Sequence, residues 1–519
     1  MSREGDFSSL PFMGRDRRRS PQSGAVWDDH QRRDRGETSP PWTLRVPSLP
    51  KKGREEIAVC LIALLLALPA SAETLQDALT AAYRGNPVLL GQREQQKALD
   101  ETFVQAKAGW RPTAGVTLGA QYQRGPNDIA DFSQGFSGEN SGSATLSVIQ
   151  PLYTGGRTTW AVRAAKAGVM AGREDLRGVE AQVLASVIQG YVDVLRDQQV
   201  LEVRKADMAT LERQVAESTA KFNLGQVTRT DVAQAQAQLE AARASLAAAD
   251  GQLQISRAEY QQAVGEPPAD LVEPTDLPGL PATLAEAQDL AVASNPQLRQ
   301  SRLTEQSSWA DVEAAKAAYR PTVALQGSYG FIGPVSPLAP NLYGEEAVAA
   351  VTITVPFLTA GMTASQVRQT TAQNNGDRIA IETVRRQVVM TVAQAWSQLL
   401  TGRAGVSAGE AQVRAAELAL RGAQAEYGYA LRTTLDVLIS DENLRAAQLS
   451  LAGAKHDAYL AQAAVLQASG RLEVSNLLPA EPAYDPDTSF QRVKNASRPP
   501  WEGVVESLDK IGAPSGPDR

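Results

Sequence analysis

The heptapeptide AKAGWRP at residues 106–112 recurs 209 residues later as AKAAYRP at 315–321. Other landmarks keep a separation of 209 or 205 residues: Asn86-Pro87 with Asn295-Pro296, and Asp231-Val232 with Asp436-Val437. A separation that stays nearly constant over so many landmarks indicates an internal duplication. We therefore predict two homologous repeats, at 73–270 and 283–472, joined by a Pro-rich linker at 271–282.

Each repeat has the same predicted order of elements around this heptapeptide. A helix of about 24 residues ends at the Arg-Pro pair, because proline cannot continue a helix. Two strands follow, and then two long helices rich in Ala and Gln, at 157–222 with 227–265 and at 362–426 with 433–470. A 66-residue helix is about 100 Å long, which indicates a coiled-coil-like assembly. In the first repeat, the 24-residue helix and the helix at 227–265 together are nearly as long as the helix at 157–222. The two shorter helices could therefore stack end to end beside the long one.

The chain outside the repeats divides into three segments. Residues 51–72 have the three parts of a secretory signal peptide: basic residues, twelve apolar residues at 57–68, and a cleavage site of the A-x-A type at Ala70-Ser71-Ala72. The apolar run is too short to span a membrane, so we expect cleavage before Glu73 and export. Residues 1–50 are interpreted as a disordered extension or a misassigned start, and 473–519 as a polar, mostly irregular C-terminal tail.

The composition excludes several classes of function. The 519 residues carry a net charge of −7 and include one Cys and two His. The single Cys leaves no disulfide framework or Cys-based zinc site, and two His leave almost none for metal ligation or catalysis. We therefore predict no enzyme activity and no cofactor. The net negative charge predicts no nucleic-acid binding. Cys60 lies in the predicted signal peptide and would be lost, so no lipid-modified Cys would open the mature chain.

The segments between the helices alternate between apolar and small polar residues. This alternation covers the ranges 113–123, 143–148, 322–331 and 349–355, with Thr, Ser, Gln and Gly on the polar face. Strands of an outer-membrane barrel have this pattern, but so do strands of an ordinary half-buried sheet. The predicted export favours the barrel.

Aromatic residues at the strand bases fit an interfacial membrane girdle, although each alone could be a core residue: Trp110, Tyr153, Tyr319 and Phe357. Four strands cannot close a barrel, and an open edge is not tolerated in lipid. We therefore predict a mainly α fold with a β-barrel part, in which three chains supply four strands each to a homotrimeric 12-stranded barrel.

Taken together, the signal peptide, the duplicated halves, the Asn-Pro and Arg-Pro pairs and the turn before Asp-Val resemble the TolC-type outer-membrane efflux and type I secretion channels, over residues 74–472. The resemblance implies a homotrimer in the outer membrane, with a β-barrel on a periplasmic α-helical tunnel. It implies a passive exit duct for secreted protein or small molecules, supplied by a periplasmic adaptor (membrane fusion) protein and an inner-membrane transporter. The absence of a lipid-modified Cys is more similar to the type I secretion branch than to drug-efflux lipoproteins.

The resemblance also assigns roles to residues at the turns between the long helices. It implies adaptor-contact tips at Leu224, Gly225, Gln226, Ala430 and Leu431; the family usually has Gly where Ala430 stands. It implies an entrance latch of Asp231, Tyr427 and Arg432, and an acidic constriction at Asp436. The second constriction position is Ile439 here, with Asp441 two residues later, which leaves a double acidic ring in doubt. From the residues alone, Asp231 and Arg432 are better interpreted as two exposed charges on solvated helix faces, which contribute little.

The main alternative is a periplasmic coiled-coil adaptor or structural protein. Such adaptors have one helical hairpin flanked by soluble β domains, whereas this sequence has two hairpins and strands paired around loops. The sequence does not identify the exported substrate.

Overall fold

The computed structural model describes residues 73–126, 136–335, 343–429 and 431–513. The predicted signal peptide, the segment before it and Ala430 lie outside these ranges. The helices are α1 (Leu75–Gly85), α2 (Pro87–Lys107), α3 (Arg157–Asn223), α4 (Arg229–Val264), α5 (Leu284–Ser294), α6 (Pro296–Ala317), α7 (Met362–Gly428), α8 (Thr434–Ala468), α9 (Val474–Leu477), α10 (Asp487–Val493) and α11 (Glu502–Ile511). The strands are β1 (Thr113–Pro126), β2 (Phe136–Tyr153), β3 (Thr322–Pro334) and β4 (Gly344–Thr354). The prediction of a mainly α fold with four strands per chain is confirmed, and the four strands form one small sheet.

The long helices α3 and α7 have 67 residues each, about 100 Å at 1.5 Å per residue. Both follow a strand through a glycine at the N-cap, Gly156 with φ of 84° and Gly361 with φ of 82°. The left-handed region suits glycine because it has no Cβ. The connection between strand and helix is three residues long before α3 and seven residues long before α7.

A joint built on the Asn-Pro pair stacks the shorter helices end to end. Asn86 caps α2 by accepting from Val88 N at 2.9 Å, and its Nδ2 donates to Ala263 O in the last turn of α4 at 2.8 Å. Asn295 repeats this joint in the second half, where its Nδ2 donates to Ala468 O at the end of α8 at 3.0 Å. Since α2 and α4 both pack against α3, the predicted end-to-end stacking is confirmed.

The largest hydrophobic core lies where α1, α3, α4 and α8 meet the segment between the repeats. Tyr191 of α3 donates to Val272 O at 2.6 Å, and Tyr459 of α8 donates to Thr275 O at 3.0 Å. Leu277 of the same segment is buried in this core. The Pro-rich segment is therefore fixed between long helices of the two halves.

The sheet is antiparallel in the order β1-β2-β3-β4, so β1 and β4 are its edges. Its register places the predicted apolar positions of all four strands on one face. That face is exposed and includes Val116, Leu118, Tyr122, Leu146, Val148, Leu325, Tyr329, Phe331, Val351 and Ile353. The sheet therefore has an apolar face on which none of the described helices or strands packs a core. Among the described helices, none combines the length and the apolar character needed to cross a bilayer.

The described part of the predicted irregular tail contains three short helices, α9, α10 and α11, so that prediction is wrong for these segments. Phe490 of α10 packs against Phe103 of α2, with ring centroids 5.1 Å apart. In α11, Glu502 and Asp509 are fully buried although they are acidic. The prolines and charges of residues 473–519 predicted an irregular segment. In the structure, however, Glu502 pairs with Arg111 and Asp509 accepts from Trp110, both in the first repeat.

Gly156, the N-cap residue of α3, has no side chain that could cap the helix, and Asp509 of α11 caps it instead. Its Oδ1 accepts from Thr154 N at 2.7 Å and from Gly156 N at 3.1 Å, and its Oδ2 accepts from Thr159 N at 3.1 Å. Burial alone would raise the pKa of Asp509, but the bonds that it accepts outweigh burial and hold the pKa below its ordinary value. A buried carboxylate at a helix N-terminus also interacts favourably with the helix dipole. The tail thus stabilises the sheet-to-helix junction of the first repeat.

We expect Asp509→Ala to lower the free energy of unfolding by about 3 kcal/mol, because several buried N–H and O–H donors lose a charged acceptor. The measurement is chemical or thermal denaturation of the purified protein. The matched control is Glu506→Ala on the same helix, because Glu506 makes only a partly exposed ion pair with Lys510. This control should cost at most about 0.5 kcal/mol. Equal losses in the two variants would contradict the capping role.

Candidate functional site

The two turns that join the long helices have closely similar backbones. In the first turn, Gly225 has φ of 74°, and Gln226 N donates to Lys221 O at 2.9 Å. In the second, Leu431 N donates to Glu426 O at 3.0 Å, which is the same six-residue closure of a helix end. The predicted tip residues Leu224 and Leu431 are both strongly exposed. Each tip therefore presents an apolar side chain to solvent.

Tyr427 connects the two tips. Its hydroxyl donates to Glu217 Oε1 of α3 at 2.9 Å and accepts hydrogen bonds from Lys221 Nζ and, at 3.3 Å, from Thr434 Oγ1. Lys221 also pairs with Glu217 at 2.7 Å, and its hydrogen bond lowers the pKa of that carboxyl. Tyr427 thus anchors the end of α7, in the second repeat, to the end of α3, in the first.

Asp231 and Arg432 are not paired with each other. Asp231 Oδ2 accepts from Thr228 N and Thr228 Oγ1, both at 2.8 Å, which completes a capping box at the start of α4. Arg432 Nε instead pairs with Glu426 at 2.7 Å. Asp231, Tyr427 and Arg432 nevertheless line one open groove of about 450 Å³. The structure therefore brings the three predicted latch residues together without an Asp–Arg link within the chain.

Asp436 is the counterpart of Asp231 in the second repeat and has the same local role. It accepts from Thr433 N at 2.9 Å and from Thr433 Oγ1 at 2.7 Å, and these two bonds, the backbone bond foremost, lower its pKa. This side chain is therefore ionised at neutral pH while it stabilises the start of α8.

Asp441 is buried, in contrast to Asp436. It pairs with Arg445 Nη2 at 3.2 Å and lies near Asp207 of α3, whose pKa is raised by burial and then by the charge of Asp441. Its carboxylate is committed to helix packing. Ile439, at the second constriction position, is exposed. Of these three positions, Asp436 is therefore the one with an accessible carboxylate, and it is half-buried.

The predicted girdle is wrong for Trp110. This side chain is only 2% exposed and donates from Nε1 to Asp509 Oδ2 at 3.2 Å, so α11 covers it. Tyr153 is half-buried beside Gly512. Tyr319 and Phe357 are exposed, Phe357 at 94%, and for them the girdle remains a prediction.

Sequence reasoning missed the partners that fix this site. Thr228 and Thr433 each stand three residues before the aspartate that they pair with, which is a capping-box spacing that could have been read from the sequence. Glu217 and Lys221 carried no signal, because their contact with Tyr427 joins residues about 200 positions apart.

Comparisons with known proteins agree with this architecture. The sequence profile of the family described as "Outer membrane efflux protein" matches residues 78–266 and 288–471. The outer membrane efflux protein BepC of Brucella suis is 32% identical over 435 residues, covering 84% of this chain and 92% of that protein. The outer membrane protein TolC of Escherichia coli is 25% identical over 453 residues, covering 84% of this chain and 90% of that protein.

Two further matches bear on function and on fold. The alkaline protease secretion protein AprF of Pseudomonas aeruginosa is 25% identical over 344 residues, covering 64% of this chain and 70% of that protein. The crystal structure of the Campylobacter jejuni CmeC outer membrane channel superposes with a TM-score of 0.68 at 15% identity, covering 81% of this chain and 89% of that one. The fold is thus that of known outer-membrane channels.

We expect Tyr427→Phe to loosen the contact between the two tips, since it removes the hydroxyl that Glu217, Lys221 and Thr434 share. Amide hydrogen exchange should accelerate in residues 217–227 and 427–434 and stay unchanged in the core around Tyr191. Tyr429→Phe is the matched control, because Tyr429 is strongly exposed two residues away. Unchanged exchange in Tyr427→Phe would show that the hydroxyl does not hold the tips together.

Proposed function

Since the chain belongs to the outer membrane efflux protein family, we propose that three copies form the exit duct of a tripartite export system. The chain is an outer membrane efflux channel with a large periplasmic part. In our proposal it conducts cargo passively, and a periplasmic adaptor and an inner-membrane transporter supply opening and energy. We further propose that type I secretion of a polypeptide, rather than drug efflux, is its principal task.

The observation that carries this proposal is the exposed apolar face of the four-stranded sheet. A sheet of this kind in water would leave an unusually large apolar patch uncovered, whereas in a bilayer the same face contacts lipid. The polar face, with Thr117, Ser143, Thr145 and Gln326 in register, would then line the lumen. Its free edges at β1 and β4 require further strands, because lipid cannot pair backbone groups. Three chains would supply twelve strands.

The tips support the proposed adaptor contact. Leu224 and Leu431 are exposed on adjacent turns that the Tyr427 contact holds together. Burial of these two apolar side chains against a partner would remove them from water, which favours association. An adaptor that binds both turns would act directly on the bonds between Glu217, Lys221 and Tyr427, and so on the width of the entrance.

The preference for type I secretion rests on the cysteine content. The only Cys of the chain is Cys60, so residues 73–519 have no thiol for a lipid anchor. Among the relatives, AprF is named for protease secretion and BepC for efflux, so the relatives' names include both kinds of export.

Fractionation tests the channel assembly. The mature protein should sediment with the outer membrane, migrate as three chains on unboiled SDS gels, and become a monomer after boiling. A soluble periplasmic monomer would contradict the barrel and leave the adaptor or structural alternative.

The secreted proteome tests the cargo. Deletion of the gene from its host should remove specific polypeptides from the medium, as measured by mass spectrometry, and complementation should restore them. An unchanged secretome combined with greater sensitivity to toxic small molecules would assign drug efflux instead.

Asp436→Ala should reduce cation selectivity and divalent-cation block in planar bilayers, because three ionised carboxylates would be lost from one level of the duct. Thr433→Ala is the matched control: it breaks the same capping box but keeps the charge. If Thr433→Ala changes selectivity as much as Asp436→Ala does, the effect is structural, and the acidic ring is contradicted.

A further inference from the structure

Helix α11 and its N-cap residue have an exposed apolar stripe beside the face that is buried. The buried face is formed by Glu502, Val505 and Asp509. The exposed stripe consists of Trp501, Val504, Leu508 and Ile511, which follow one another at spacings of three, four and three residues and so share one side of the helix. Ile511 is 79% exposed. We call these four residues the tail stripe.

A second apolar patch lies at the junction of β4 and α7, the counterpart of the junction that α11 covers in the first repeat. It consists of Val355, Phe357, Leu358 and Met362, all exposed, with Leu358 at 82%. We call these residues the junction patch. It is continuous along the chain with the β4 edge of the sheet.

The two junctions differ in whether a segment of the described chain covers them. A Cβ built on Gly156 would lie 2.8 Å from Gly512 O, because the end of α11 packs there. A Cβ built on Gly361, the equivalent position, would meet no atom within 4 Å. In the described chain, the junction patch of the second repeat is therefore uncovered, and the tail stripe is exposed as well.

The strand order determines which surfaces would meet when the sheet closes into a ring. The tail contacts Trp110, directly before β1, which is one edge of the sheet. The junction patch directly follows β4, which is the other edge. Thr113 and Thr354 both lie at the helical end of the sheet. Pairing of β4 of one chain with β1 of the next therefore brings the junction patch and the neighbouring tail stripe to the same level.

We infer that the tail stripe binds the junction patch of a second copy of this chain, as a clasp that runs around the ring beneath the barrel. This inference rests on the proposed ring. The contact is heterologous, since it joins two different surfaces, and such contacts repeat around a closed ring. The apolar residues of both surfaces would leave water on binding, and each copy would use one stripe and one patch.

The charge of α11 favours a second copy over a lipid surface as the occupant. A helix that lies in a membrane interface usually has a polar face rich in Lys and Arg. Outside the stripe, α11 carries Glu502 and Asp509, which are buried and bind the chain's own donors, and Lys510, which pairs with Glu506 at 2.8 Å. Little basic charge remains for anionic headgroups.

Cysteine crosslinking in the outer membrane tests this contact. On a Cys60→Ala background, the chain carries Ile511→Cys together with Phe357→Cys, and mild oxidation should give two-chain and three-chain species on non-reducing gels. Each single variant should stay monomeric. Co-expression of the two singles with different tags should give a mixed dimer, which proves that the bond joins two chains. Ile511→Cys with Ile379→Cys is the matched control, because Ile379 is exposed on α7 away from the junction.

A parallel pair separates this inference from the proposed ring. Thr113→Cys with Thr354→Cys, joined by a short bismaleimide, reports the β1–β4 edge. If the edge pair links chains and the tail pair does not, the ring stands and the clasp is wrong. If neither pair links chains, the ring itself is contradicted. A spin label at Ile511→Cys that is relaxed by a lipid-soluble agent would identify lipid as the occupant and overturn the clasp.

Discussion

The unpaired edges of the sheet are the constraint on which the rest of the structure depends. An apolar face that runs in register across four strands is stable only against lipid or another apolar layer, and no described element of the chain covers it. In lipid, every backbone N–H and C=O must also be paired, which β1 and β4 cannot achieve within the chain. Assembly is therefore a condition of membrane insertion, and in the proposed ring the long helices would follow the same arrangement.

The duplication gives the two halves the same joints but not the same surroundings. Asn86 and Asn295 make the same bridge between helix ends, and Thr228 and Thr433 make the same capping box. A ring of alternating halves needs this equivalence, since each half must fit between two others. The C-terminal segment breaks it, because Asp509 caps only the first sheet-to-helix junction.

Local patterns predicted the fold well, and contacts between distant residues were missed. The Pro-free Ala-rich runs predicted the long helices within a few residues of their observed bounds, and the period-two alternation located all four strands but made β2 and β4 too short at their N-terminal ends by seven and five residues. Trp110 was assigned to the membrane interface because its position at a strand base is visible in the sequence, whereas its cover by Asp509 depends on a residue about 400 positions away. The tip roles were assigned by resemblance, and the capping function of Asp231 was overlooked although the Thr-x-x-Asp spacing indicates it.

The capping boxes limit what a latch at the tips can be. An exposed Asp231–Arg432 pair would contribute about 0–1 kcal/mol. To make it, Asp231 would have to loosen a cap of about 1 kcal/mol, and Arg432 would have to leave Glu426, so the exchange brings no net stabilisation within one chain. The contact through Tyr427 needs no such exchange, because Glu217 and Lys221 both bind the Tyr427 hydroxyl while they remain paired with each other. Within the chain, the contact between the two tips therefore depends on Tyr427, while Asp231 and Asp436 cap the helices that follow the turns.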